Sequence, residues 1–155
     1  MWTCGWNDSD GHTVLLRIVS TQSEVIFDSF NPNDLPYNNF ISSLWTNGKL
    51  YFWLTGVSDG AIKHSFTNRN FVIKVNFGIQ YFPYRIRGTE LNDISEVGDA
   101  AMMWHYNGYS WEFYDELLNL DDRVRALDMN TGIIVAVGHR YETILSKGLL
   151  IMGRR

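Results

Sequence analysis

Residues Asn92–Trp111, NDISEVGDAAMMWHYNGYSW, decide how the rest of the chain is read. Asp93–Val97 reads as a short strand stopped by Gly98, and Met102–Tyr106 reads as a second. Asn107-Gly108 is a strong two-residue hairpin signal, and Trp111 opens a third strand. Strand, glycine, strand, turn, strand is a unit, and a unit this clear sends the reader along the chain in search of copies.

The copies exist. Strands rich in Tyr, Trp and Val and closed by glycine recur at Gly5 (MWTCG), Gly56 (LYFWLTG), Gly98 (DISEVG) and Gly138 (IIVAVG), at intervals of 51, 42 and 40 residues. Before each of the last three lies another short strand and a polar turn: Phe40–Thr46, Tyr84–Gly88 and Arg123–Met129. After each glycine comes a third strand, Thr13–Val19, Ala61–Phe66, Met102–Tyr106 and Thr143–Ser146. A fourth follows at Glu24–Phe27, Phe71–Phe77, Trp111–Tyr114 and Leu149–Met152. Four strands per repeat of roughly 40 to 50 residues is the content of a β-propeller blade. The expected fold is therefore all-β, a single domain over residues 1–155 with repeats near 1–39, 40–83, 84–122 and 123–155. About four four-stranded antiparallel blades are expected, the first incomplete because no strand precedes MWTCG. Four blades rarely close a ring, so the expectation is a partial propeller or a ring completed by oligomerisation, with a dimer favoured. Only Asp115–Ala126 competes for helix, and at most one turn is expected there.

Composition agrees with sheet. Aromatic residues make up 15% of the chain, with six Trp. Thirteen Lys and Arg against 17 Asp and Glu leave a net charge of −4 and no basic run, which disfavours nucleic-acid binding. Cys4 is alone, so no intrachain disulfide is possible, and no His or carboxylate set has metal-ligand spacing. No cofactor and no metal are expected. No apolar run is long enough for a membrane span, and MWTCGW lacks the pattern of a signal peptide, leaving the compartment open and a secreted parent possible.

The segment VGDAAMMWHYNGYSW, with the later VAVGHR, resembles the repeats of bacterial propellers of the BNR/Asp-box, sialidase-like group. Their blades run as an apolar strand ending in Val-Gly, a strand, then a glycine turn closing on Trp. Here Gly108, Ser110 and Trp111 match, whereas Trp104 and Tyr106 stand where an Asp-box has Ser and Asp. The resemblance implies a fold-stabilising turn rather than a catalyst, and no sialidase arginine triad or nucleophile maps onto these residues.

Candidate chemistry is sparse. His64 and His105 take equivalent places on third strands, a repeat position rather than a metal pair, and His12 and His139 lack partners at ligand spacing. Glu90, Asp93, Glu96 and Asp99 are the one set able to supply paired glycosidase carboxylates, but Glu90 and Asp93 flank a turn that such side chains commonly cap. Asn7–Gly11 looks like a calcium loop with Trp6 and Arg17 at the places of its outer ligands, and so reads as a hairpin turn. Trp2, Trp6, Trp45, Trp53, Trp104 and Trp111 are expected mainly between blades, with a sugar-stacking platform as the alternative use. Arg85, Arg87, Arg123 and Arg125 alternate along the first strands of two repeats, so one of each pair is expected to point to a central channel and meet an anion. The function expected is a non-catalytic propeller module for assembly and for binding a protein or carbohydrate ligand. A piece of a glycosidase-like enzyme is the alternative.

Overall fold

The computed structural model describes residues 1–7, 12–28, 41–48, 51–56, 60–65, 71–74, 81–142 and 145–154. Within them fourteen strands form four antiparallel sheets, each a simple meander. Sheet 1 holds β1 (Trp2–Asn7), β2 (His12–Val19) and β3 (Gln22–Asp28). Sheet 2 holds β4 (Ile41–Thr46), β5 (Tyr51–Gly56), β6 (Gly60–Ser65) and β7 (Phe71–Lys74). Sheet 3 holds β8 (Pro83–Glu90), β9 (Asp93–Gly98), β10 (Met103–Tyr106) and β11 (Trp111–Phe113). Sheet 4 holds β12 (Asp122–Met129), β13 (Ile133–Tyr141) and β14 (Ser146–Arg154). The chain is all-β, and among the described residues it is relieved by one 3-10 turn, Asp115–Leu117, within the Asp115–Ala126 stretch where at most one helical turn was expected. The Phe30–Asn39 segment and the tip of the Asn7–Gly11 turn lie outside the described residues.

The glycine frame turns out to mark something other than strand ends. Gly56 and Gly98 do close their strands, but Gly5 lies inside β1 and Gly138 inside β13, which continues to Tyr141. All nine residues of β13 pair with β14, which begins at Ser146; of the third strand expected at Thr143–Ser146, Thr143 and Ile144 lie outside the described residues. Sheet 4 therefore shows three strands where four were expected. Asn107-Gly108 likewise opens a four-residue loop, because Tyr106 pairs with Trp111. The Asn107 side chain decides this: its Oδ1 accepts from the backbone N–H of Tyr109 and of Ser110, both at 2.9 Å, which holds a wider turn with Gly108 at φ +93°.

What the glycines share is a bulge opposite them. Gly56 faces Ile41, Gly98 faces Pro83 and Gly138 faces Val124, and in each sheet the first strand bulges immediately afterwards, at Ser42, Tyr84 and Arg125. The bulge presses backbone against backbone. A Cβ on Gly138 would lie 1.8 Å from the Arg123 carbonyl oxygen, and one on Gly98 would lie 2.2 Å from that of Phe82, so no larger residue fits. The bulged residue then reaches the next sheet: Ser42 Oγ donates to the Pro83 carbonyl at 2.7 Å, and Arg125 of sheet 4 lies over the Tyr84 ring at 3.8 Å.

Each sheet packs on the next in order, with first strands β4, β8 and β12 as consecutive neighbours and β1 lying beside β4. Strand alternation assigns the faces. Trp53 and Thr55 of β5 turn toward sheet 3, as Ser95 and Val97 of β9 turn toward sheet 4, while Glu96 and Ala136 turn back to the preceding sheet. Two cores result. Trp53, Ile86, Ile94 and Tyr106 fill the space between sheets 2 and 3, and Val97, Met103, Val124, Leu127, Ile134 and Ala136 fill that between sheets 3 and 4.

Candidate functional site

Arg85 and Arg87 are the two sequence-predicted site residues that the fold brings together. Residues two apart share a face of a strand, so both project from the same side of β8 instead of one of the pair doing so. Arg87 Nη1 donates to its neighbour's carbonyl at Ile86, 2.8 Å, and to that of Leu44 on β4, 3.4 Å. Burial draws the Arg87 pKa down, and the positive charge of Arg85 adds to that, against the opposing pull of Asp128 on β12 and Cys4 on β1. The Cys4 thiol is pushed up by its own burial, opposed by Arg85 and Arg87. One guanidinium thus senses groups from all four sheets. The two guanidinium groups are half-buried on one face of β8, with Asp128 of β12 acting against their mutual repulsion.

Arg123 and Arg125 are used elsewhere, because the bulge between Val124 and Ala126 breaks the alternation of β12. Arg123 Nε donates to Asp99 at 2.8 Å, and its Nη1 to the carbonyls of Leu120 and Asp122 at 2.8 and 2.9 Å. Asp99 also accepts from the Tyr84 hydroxyl at 2.7 Å; burial raises the Tyr84 pKa and this carboxylate raises it further. With Arg125 on the Tyr84 ring, these residues clamp sheet 3 to sheet 4.

The acidic set disperses in the same way. Asp93 lies on the face turned to sheet 4, where Oδ1 meets His105 Nε2 at 3.0 Å and Oδ2 accepts from the Thr89 hydroxyl. An imidazole nitrogen facing a carboxylate carries its proton there, so Nε2 is the donor. Burial lowers the His105 pKa against the opposing charge of Glu112, which keeps the ring neutral at neutral pH. Ser95 stands directly across from His105 in register, completing a Ser, His and Asp trio on one face. It is no nucleophile: its hydroxyl is wholly buried and makes no hydrogen bond to the ring. Glu96 points the other way, into the core against sheet 2. It is fully buried, accepts from the Thr55 hydroxyl at Oε1, and leaves Oε2 without a partner. Burial raises its pKa well above the usual carboxylate value.

A cleft of about 290 Å³ opens between the outer strands of sheets 3 and 4. Met103, Leu117, Ile134 and Ile151 form its apolar part, with His105, Tyr114, Glu116 and Arg154 as its polar groups. Burial raises the Tyr114 pKa, and the carboxylates of Glu112 and Glu116 raise it further. His139 packs against Tyr141 at 4.5 Å, the backbone of His64 sits on β6, and the side chains of His64 and His12 lie outside the described residues. Among the described residues no group of three His, Cys, Asp or Glu gathers as a metal site, and no helix is long and apolar enough to cross a membrane.

The pairing of Asp93 with His105 was missed because it depends on the β9–β10 register. That register was readable in principle, since the turn after Gly98 sets which residues face each other. The company of Cys4 and Asp128 around Arg87 was not, as it joins residues far apart in sequence. Comparison with protein-family models, with curated proteins and with solved structures returns no match for this chain, so the functional reading rests on its own geometry.

Proposed function

We propose that the chain is a non-catalytic β-propeller module for assembly and for protein or ligand binding, a degenerate relative of the BNR/Asp-box group, which joins copies of itself to complete a ring. The observation that carries this reading is one junction built repeatedly. The face holding Trp53 and Thr55 is buried by sheet 3, and the repeat-equivalent face holding Ser95 and Val97 is buried by sheet 4. The equivalent face of sheet 4 holds Val135 and Val137, joined in register by Met152 and Leu150. There Val137, Leu150 and Met152 are 42, 59 and 66% exposed. An apolar sheet face of this extent belongs against another sheet.

At the other end of the series, Leu16 and Val25 pair on the face of sheet 1 turned away from sheet 2, and Val25 is 54% exposed. Joining this face of one copy to the open face of sheet 4 in another is a head-to-tail contact, which closes only as a ring. Arg85 and Arg87, the pair proposed to meet an anion, would then lie near the axis. Catalysis is not part of the reading, because the cleft between sheets 3 and 4 is lined by one carboxylate, Glu116, and glycoside hydrolysis uses two. Light scattering on the purified chain tests it. The expected result is a dimer or larger closed species that the double variant Val137→Glu, Leu150→Glu returns to monomer; a wild-type chain that stays monomeric at high concentration overturns the reading.

A further inference from the structure

In sheets 2 and 3 the third strand, β6 or β10, is covered along its outer edge by a fourth, β7 or β11. In sheet 4 the corresponding strand is β14, with β13 on one edge and, among the described residues, no strand on the other. Open edges in soluble proteins are commonly defended by charge, proline, a bulge or shortness. β14 has none of these along its middle. Gly148–Gly153, GLLIMG, carries no charge and no proline, and its pairing with β13 runs without a register shift over nine residues. Charges stand only toward the ends, at Lys147 and Arg154, and Lys147 is bound to Glu142 at 2.8 Å.

The cleft described above lies beside this edge. Ile151, Met152, Gly153 and Arg154 form one side of it, and Met103, Tyr114, Leu117 and Glu116 of sheet 3 and its following turn form the other. A strand added to β14 would present alternate side chains to that space. Its apolar part takes an aliphatic or aromatic side chain, while Glu116 at the wall and Glu112 close to Tyr114 together outweigh the single positive charge of Arg154 and favour a basic one beside Glu116.

We propose that the free edge of β14 is a strand-addition site for an extended segment of a partner protein, apolar at alternate positions and bearing a lysine or arginine that meets Glu116. The site is independent of ring closure, which uses the open face of sheet 4 rather than its edge.

A labelled peptide with the sequence of residues 70–77, NFVIKVNF, serves as probe, since it spans β7, a fourth strand carrying a lysine among apolar residues. The acidic sequence of residues 109–115, YSWEFYD, and the first peptide with proline at the Ile73 position are controls. The expected result is saturable binding by the first peptide alone, with slowed amide exchange at alternate residues of Gly148–Gly153. The surface variant Glu116→Lys should weaken that binding about fivefold to tenfold. The proposal is overturned if the first peptide does not bind, if protection falls outside β14, if the acidic peptide binds as well, or if the edge is already protected by association of the chain with itself.

Discussion

Between sheets 2 and 3 the contact is aromatic. Trp53 lies 5.2 Å from Tyr106 and 5.4 Å from Trp111, ring centre to ring centre, and its indole N–H donates to the Leu91 carbonyl at 3.2 Å. Between sheets 3 and 4 it is aliphatic, with Val97, Val124, Leu127, Ile134 and Ala136 interlocked. The backbone frame is nevertheless the same at both: glycine on the second strand, bulge on the first, and a side chain from the bulge or its neighbour bridging to the next sheet. What repeats in this protein is the close approach of two backbones, and the filling is free to differ. Position 96 shows how far that freedom goes, because Glu96 occupies the place held by Leu54 in sheet 2 and Ala136 in sheet 4.

The largest effect should come from the aromatic junction. Trp53→Ala is expected to lose about 3–5 kcal/mol in urea unfolding, through transfer and cavity terms together. Leu127→Ala in the aliphatic junction should lose less, about 2–3 kcal/mol. Equal losses would mean that the two junctions are not separately filled cores. Next comes the shared frame. Gly138→Ala forces a methyl into the Arg123 carbonyl and should destabilise by about 1–3 kcal/mol, whereas Gly153→Ala, where a Cβ meets nothing within 4 Å, should stay within about 0.5 kcal/mol. If both glycines tolerate alanine alike, the bulge is not what selects glycine.

The third contrast is in pH. Glu96 has a folded pKa above its unfolded one, so the folded state holds the extra proton and stability falls as pH rises above the ordinary carboxylate range, by at most about 1.4 kcal/mol per pH unit. Glu96→Gln should remove that slope, leaving the variant the more stable at pH 8 and nearly equal at pH 4; a wild-type curve flat between those values would show that the buried acid does not titrate against folding. His105 has the opposite sense. Its folded pKa lies below the ordinary value for histidine, so stability is full above about pH 6.5 and falls as pH drops from there toward the folded pKa. Replacing it by Gln should flatten the acid side by less than about 1 kcal/mol, the smallest change of the set, because the Asp93 bond and the nearby Glu112 both favour the charged ring.

The strand content and its grouping were legible because they depend on short-range chemistry. Alternating apolar residues, turn residues and a glycine every 40 residues or so are all read within a few neighbours of each position. The hairpin loops were misread where a side chain took part: nothing in Asn107-Gly108 alone says that the Asn oxygen will collect two backbone N–H groups and widen the turn. The last repeat was misread because β13 runs straight through Gly138, and only its partner β14 shows how long it is. The arginines divide in the same way. Arg85 and Arg87 lie together on β8, both on one side rather than one of the pair, and the withdrawal of Arg123 and Arg125 into contacts with Asp99 and Tyr84 accompanies the β12 bulge.

By itself the sequence determined that this chain is a series of short antiparallel strands in four groups, since propensity, turn chemistry and the spacing of glycines act along the backbone. Tertiary structure alone decided which face each group turns to the next, that Glu96 is buried in a core with its pKa raised while Asp93 holds a histidine, and that sheet 4 has an exposed apolar face and, among the described residues, an uncharged edge with no strand beside it. Those outcomes depend on register and on backbones brought within van der Waals contact across 40 or more residues, and a one-residue change of register sends every side chain of a strand to the opposite face.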